Sequence, residues 1–175
     1  IADALRAAMH SDMAFMNSGG IRSNLRAGDL AYSDIFEVSP FDNYPAVIEM
    51  TGAQITQALQ LLTSSDRGLM QVSGLRYTVD AQKPAADRLV SVTLDDGTPI
   101  DPAKLYRVAM PDFLASGGDG LLPVMRAIPA EHFTVLQDRT IRDVLPDVLR
   151  TFPQPLVPKT EGRIIVLNPP PSAHQ

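Results

Sequence analysis

The chain predicts an α+β domain. One apolar stretch repeats at helical spacing behind a capping signal, from Thr51 to Leu62. The section after Met70 alternates with period two around the turn tripeptide Asp95-Asp96-Gly97. Helices are scattered among mostly hairpin-linked strands, which argues against a doubly wound sheet. With 175 residues, 45% of them hydrophobic, the chain is long enough for one real core and too short for two generous domains.

Taken in order, Ala2 to Met9 reads as a helix that begins without an initiator methionine, a capping residue or a signal-peptide pattern, so the chain reads as a fragment of a longer polypeptide. Met13 to Met16 is a short apolar strand running straight into Asn17-Ser18-Gly19-Gly20-Ile21-Arg22. Gly28 marks a turn, Ser33 is placed to cap a short helix through Val38, and Ala46 to Met50 resumes as a strand. Thr51 and Gln54 have capping-box spacing, and the helix behind them puts Ile55, Ala58, Leu59 and Leu62 on one face. Val72 to Val79, Leu89 to Leu94 and Leu105 to Met110 read as strands of one sheet. A second glycine-rich loop, Asp112 to Gly120, precedes a short helix near Leu121 to Arg126, a strand near Phe133 to Leu136, and a helix from Thr140 to Leu149 capped by Asp138. Pro153, Pro155 and Pro158 interrupt, and Arg163 to Leu167 is a last strand. Residues 1–167 then form the domain, and the proline-rich tail 168–175 reads as disordered.

Composition removes several classes of function. A net charge of −5 with scattered arginines offers no basic stripe for a nucleic-acid polymer, so an anionic ligand must be held by a local arginine. The absence of cysteine excludes a disulfide framework, a thiolate zinc site and a cysteine nucleophile. Apolar runs are strand-length, far short of the roughly 20 residues that span a bilayer. His10, His132 and His174 fall in no metal-ligand spacing, and no Ser-His-Asp order or nucleophile elbow can be assembled, so the chain lacks a catalytic apparatus of its own.

Two glycine-rich loops with Pro40-Phe41-Asp42-Asn43 between them carry the functional signal. Paired glycines, Gly19-Gly20 and Gly117-Gly118, let a backbone approach a ligand closely, although two tight turns need the same residues. Arg22 adds a permanent forked donor for phosphate oxygens, or pairs with a surface carboxylate. Phe41 and Phe113 sit in loops rather than in apolar runs; core burial is the ordinary fate of a phenylalanine, stacking on a base the alternative. Asn17 and Asn43 can read a base edge or bond their own turns, and Asp119 can accept from ribose hydroxyls or cap its loop. The residue types together suggest a nucleotide.

These three segments, in this order, resemble the C-terminal domain of the 5'-nucleotidase family, and the resemblance runs from Ile1-Ala2-Asp3-Ala4-Leu5 to Glu161-Gly162-Arg163-Ile164. It implies a layered α/β/β/α fold and a nucleotide or nucleoside ligand. The implied site is Asn17, Gly19, Gly20, Arg22, Phe41, Asn43, Phe113 and Asp119, with the two phenylalanines sandwiching the base. It also implies a partner, an N-terminal metallophosphatase domain outside this chain, whose two divalent metal ions (zinc or manganese) activate water, with further arginines upstream of Ile1. No cofactor is expected in this chain, and the fragment alone is expected to be inactive. A periplasmic or extracellular location follows from the resemblance only. The alternatives are the same domain of a 2',3'-cyclic nucleotide phosphodiesterase or nucleotide-sugar hydrolase, the thiosulfate-oxidising branch, against which the aromatic pair argues, and a non-catalytic nucleotide-binding module.

Overall fold

The computed structural model describes residues 1–64 and 68–169. In chain order the principal elements are α1 (Ala2–Ala8), β1 (Met13–Met16), α2 (Tyr32–Val38), β2 (Pro45–Thr51), α3 (Gly52–Thr63), β3 (Gln71–Ser73), β4 (Leu75–Asp80), β5 (Leu89–Leu94), β6 (Leu105–Pro111), α4 (Asp112–Ala115), α5 (Leu122–Met125), β7 (Phe133–Val135), α6 (Ile141–Thr151) and β8 (Ile164–Leu167). Five strands form one sheet in the order β3-β1-β6-β2-β7, and three form a second in the order β5-β4-β8. The domain is α+β, as the sequence predicts.

Strand alternation decides which face of the larger sheet each side chain meets. Ala14, Val47 and Ala109 point to one face, where they pack with Ala4, Leu5 and Met9 around α1, Ile35 of α2, and Ile141 and Leu145 of α6. Met13, Phe15, Ile48, Met50, Val108 and Met110 point to the other, into a core shared with α3, α5 and the second sheet's Leu75, Tyr77, Val79 and Val92. Small residues thus face the helices α1, α2 and α6, and large ones fill the space between the sheets. Buried Tyr77 keeps its hydroxyl satisfied by donating to the Met70 carbonyl at 2.8 Å, and burial pushes its pKa up.

Several sequence expectations need correction. The stretch 72–79 is not one strand: Gly74, at φ +82, breaks it into β3 and β4, which belong to different sheets. A Cβ at Gly74 would lie 2.2 Å from the Asp12 carbonyl oxygen, so close approach as well as backbone sign requires glycine. The turn at Asp95-Asp96-Gly97 forms, with Leu94 N–H bonded to the Thr98 carbonyl at 2.8 Å. Its return arm is only a bridge at Pro99, however, and β6 joins the other sheet. Ser33 lies inside α2; Asp34 instead closes the helix start by accepting the Ala31 N–H at 2.7 Å while pairing with Arg26 at 2.7 Å, and these bonds, the backbone one first, hold its pKa below the ordinary value. Thr140, not Asp138, caps α6, with Asp143 bonding back to the Thr140 N–H. Of the expected tail, Asn168 donates to Asp80 at 3.0 Å, while residues 170–175, His174 among them, lie outside the described residues.

Candidate functional site

Topology gathers the three loops. β1 and β6 are parallel neighbours, Met13 opposite Val108, so the chain leaves both at the same end of the sheet, into Asn17 and into Asp112. β2 runs antiparallel to β6 with Pro45 opposite Pro111, so the segment ending at Tyr44 arrives there too. The segments containing Arg22, Phe41 and Phe113 therefore share one rim.

Asp112 stitches two of them together. Its Oδ1 accepts from the Tyr44 N–H at 3.0 Å and from the Phe113 N–H at 2.9 Å, and its own N–H donates to the Tyr44 carbonyl at 2.9 Å. On either side of this knot Phe41 is 45% and Phe113 41% exposed, so neither takes the core position that is ordinary for a phenylalanine. Phe41 lies in a loop, whereas Phe113, read from the sequence as a loop residue, stands in the single-turn helix α4 because Asp112 closes the helix start; both rings are half exposed and offer an apolar face to solvent. Phe113 lies over Gly118: a Cβ there would come within 2.5 Å of the ring and 2.6 Å of the Phe113 carbonyl oxygen. Gly117 and Gly120, at φ +97 and +89, supply the left-handed turns around it.

The two glycine-rich loops are linked side chain to side chain. Asn17 Nδ2 donates to Asp119 Oδ2 at 3.0 Å, across 102 residues, while Asp119 itself holds a left-handed φ of 52°. Asn17 Oδ1 is buried and accepts no hydrogen bond among the described residues. A Cβ on Gly20 would sit 2.9 Å from that oxygen and 2.7 Å from Met16 Cε, so a larger residue there would require both side-chain ends to shift. Gly19 is exposed, and its carbonyl receives Arg22 Nη1 at 3.3 Å, which leaves the guanidinium on the surface beside the first loop. Asn43 is partly buried and anchors α6 by accepting the Ile141 N–H on its carbonyl at 2.8 Å. The candidate residues thus lie on the three segments that meet at this rim, Phe113 in the helix α4 and the others in the connections.

Sequence reasoning missed Asp112 and Arg142. Arg142 is only 9% exposed, and its Nη2 meets Asp42 Oδ1 at 2.5 Å. The bonds to Asp42 and then to Tyr32 raise its pKa above the ordinary value. Neither residue carries a local motif; an aspartate after a strand and an arginine in an amphipathic helix have ordinary surface roles until the tertiary fold is known. Two open surface depressions lie away from the rim, one beside Gln60, Lys83 and Leu89, the other beside Asp3, Arg6, His10 and Phe152. Neither contains a candidate residue.

The two-sheet architecture with its loop-bearing rim is that of a layered α+β domain. The family described as 5'-nucleotidase, C-terminal domain, matches residues 1–127, and the chain belongs to it. A 5'-nucleotidase-related protein of Glossina morsitans morsitans is 34% identical over 169 residues, covering 89% of this chain and 29% of that protein. A cell wall protein of Listeria monocytogenes is 38% identical over 133 residues, 71% of this chain and 17% of that protein. Among solved structures, a 5'-nucleotidase precursor from Thermus thermophilus superposes with a TM-score of 0.85 at 31% identity, over 97% of this chain and 34% of that one. The chain therefore spans about a third or less of the length of these relatives. No helix of the described residues is long and apolar enough to cross a membrane.

Proposed function

We propose that the chain is the nucleotide-recognition domain of a 5'-nucleotidase-like phosphohydrolase. Phe41 and Phe113 hold the base, Asn17 and Asn43 lie toward its edge, Asp119 accepts from the ribose hydroxyls, and Arg22 meets the phosphate. The observation that carries this reading is the pair of half-exposed phenylalanines on two segments tied together by Asp112. Stacking suits any base, so the rings supply grip while the amides and the carboxylate supply orientation.

Hydrolysis belongs to a second, N-terminal domain in the longer protein. Among the described residues no three His, Cys, Asp or Glu side chains are grouped to hold a metal; the two divalent ions, zinc or manganese, that the family resemblance implies belong in this proposal to that other domain. When bound in that other domain they would activate the attacking water. This chain's part is to orient the nucleotide, and alone it is inactive. The Listeria relative named as a cell wall protein supports a periplasmic or extracellular location.

The test is calorimetric titration of the chain with adenosine. Base–aromatic stacking contributes about 1–3 kcal/mol per base, so Phe41→Ala or Phe113→Ala should weaken binding roughly 5- to 150-fold in a folded protein. Unchanged affinity in both variants removes the base clamp.

A further inference from the structure

Arg142 is a buried charge that the nucleotide reading leaves unused. It stands in the first turn of α6 with every arm of its fork engaged: Nη2 on Asp42 Oδ1 at 2.5 Å, Nη1 on the Pro40 carbonyl at 2.8 Å, and Nε on the Tyr32 hydroxyl at 3.2 Å. Its Cζ lies 4.7 Å from the centre of the Phe36 ring. The Tyr32 hydroxyl in turn donates to Asp143 Oδ1 at 2.7 Å.

Burying a guanidinium is costly, and an apolar residue would serve packing as well or better. The packing of α6 against α1 and α2 is already supplied by Leu5, Ile35, Ile141 and Leu145. Asp42 has a side chain 78% exposed, so its pairing with Arg142 adds little to stability. What the bonds do accomplish is geometric. Pro40 and Asp42 are the two residues flanking Phe41, and one planar fork holds both, which a lysine's single ammonium cannot do in the same geometry.

We infer that Arg142 is a positioning residue for ligand recognition: by clamping both flanks of Phe41 it fixes the pose of the ring offered to the base, and it backs that pose with the α2–α6 junction through Tyr32 and Phe36. The inference rests on the nucleotide reading above. Its expected signature is selective, with loss of affinity for ligands that carry a base and none for ligands that lack one.

The experiment compares wild type, Arg142→Met, Arg142→Lys, Asp42→Ala and Phe41→Ala by calorimetry with adenosine and with ribose 5-phosphate. The chain contains no tryptophan, so Phe41→Trp supplies a single fluorescent reporter at the ring itself. Arg142→Met should weaken adenosine about tenfold, with Arg142→Lys and Asp42→Ala in between, at unchanged ribose 5-phosphate affinity. In the Phe41→Trp background it should lower the tryptophan anisotropy without ligand. Equal losses for both ligands, or unchanged adenosine affinity with unchanged anisotropy, overturn the role. If Phe41→Ala leaves adenosine binding intact, the base clamp itself fails, and the anisotropy alone decides whether Arg142 orders the loop. If Phe41→Ala weakens binding while the Arg142 and Asp42 variants do not, only the positioning inference falls. Asp42 is exposed, so Asp42→Ala keeps the test decisive should Arg142→Met not fold.

Discussion

Phe113 and Gly118 show how one hydrogen atom can shape a site. With no Cβ at Gly118 the ring can lie against the backbone, whereas an added methyl would collide with both the ring and the Phe113 carbonyl oxygen. Gly118→Ala should therefore displace Phe113 and weaken adenosine binding about as much as Phe113→Ala, a prediction checked by titrating the two variants side by side. Charge separates the other roles. Arginine donates to phosphate but cannot accept from a hydroxyl; ionised aspartate accepts from hydroxyls and repels phosphate. Arg22→Ala should reduce AMP affinity more than adenosine affinity and flatten its salt dependence. Asp119→Asn should erode the preference for adenosine over 2',3'-dideoxyadenosine. Losses that do not separate in this way would remove the corresponding role. That these residues gather at one rim was signalled in the sequence by glycine pairs, phenylalanines outside apolar runs and a neighbouring arginine; that Phe113 would stand in a helix was not. Arg142 and Asp112 were not, because partners 100 and 68 residues away give them their work.

Local signals account for most elements. The capping box of α3 forms as its spacing requires, Thr51 Oγ1 accepting the Gln54 N–H at 3.2 Å and Gln54 Oε1 the Thr51 N–H at 2.9 Å, and its four apolar positions are buried. Sheet membership was not legible: β3 and β4 share one alternating pattern, and the break at Gly74 depends on the distant approach of Asp12. Where the two sheets meet, Asp3 of α1 accepts Ser73 Oγ at 2.7 Å and Arg163 Nη1 at 2.6 Å, joining α1, β3 and the entry to β8. Burial pushes the Asp3 carboxyl up, but bonds from Arg163 and Ser73 together outweigh it and hold the pKa below its ordinary 3.8. A lowered folded-state value stabilises the fold above the ordinary value, and that contribution is lost as pH falls through the depressed one. Asp3→Asn should thus lower Tm at neutral pH, modestly because the group is half exposed, and the mutant and wild-type curves should draw together as pH falls through the depressed value. Curves that stay parallel throughout acid titration would contradict the assignment.

For the molecule as a whole, the order β3-β1-β6-β2-β7 is what places the loops on one rim, and no spacing in the sequence encodes it. An acidic chain can then present a local arginine to an anion at that rim without being basic overall. The bond between Asn17 and Asp119 spans 102 residues, which has a kinetic meaning. Closing so long a segment is slow, and such contacts come after local ones in folding. Nothing resembling the site can exist on a chain that has not yet paired β1 with β6, so a transition state that precedes this pairing has little for a ligand to hold. Interactions absent from a transition state act on the unfolding rate alone. Saturating adenosine should therefore leave the refolding rate unchanged and slow unfolding by the full factor expected from its affinity. The ligand would act as a lock on the finished fold rather than a template for making it.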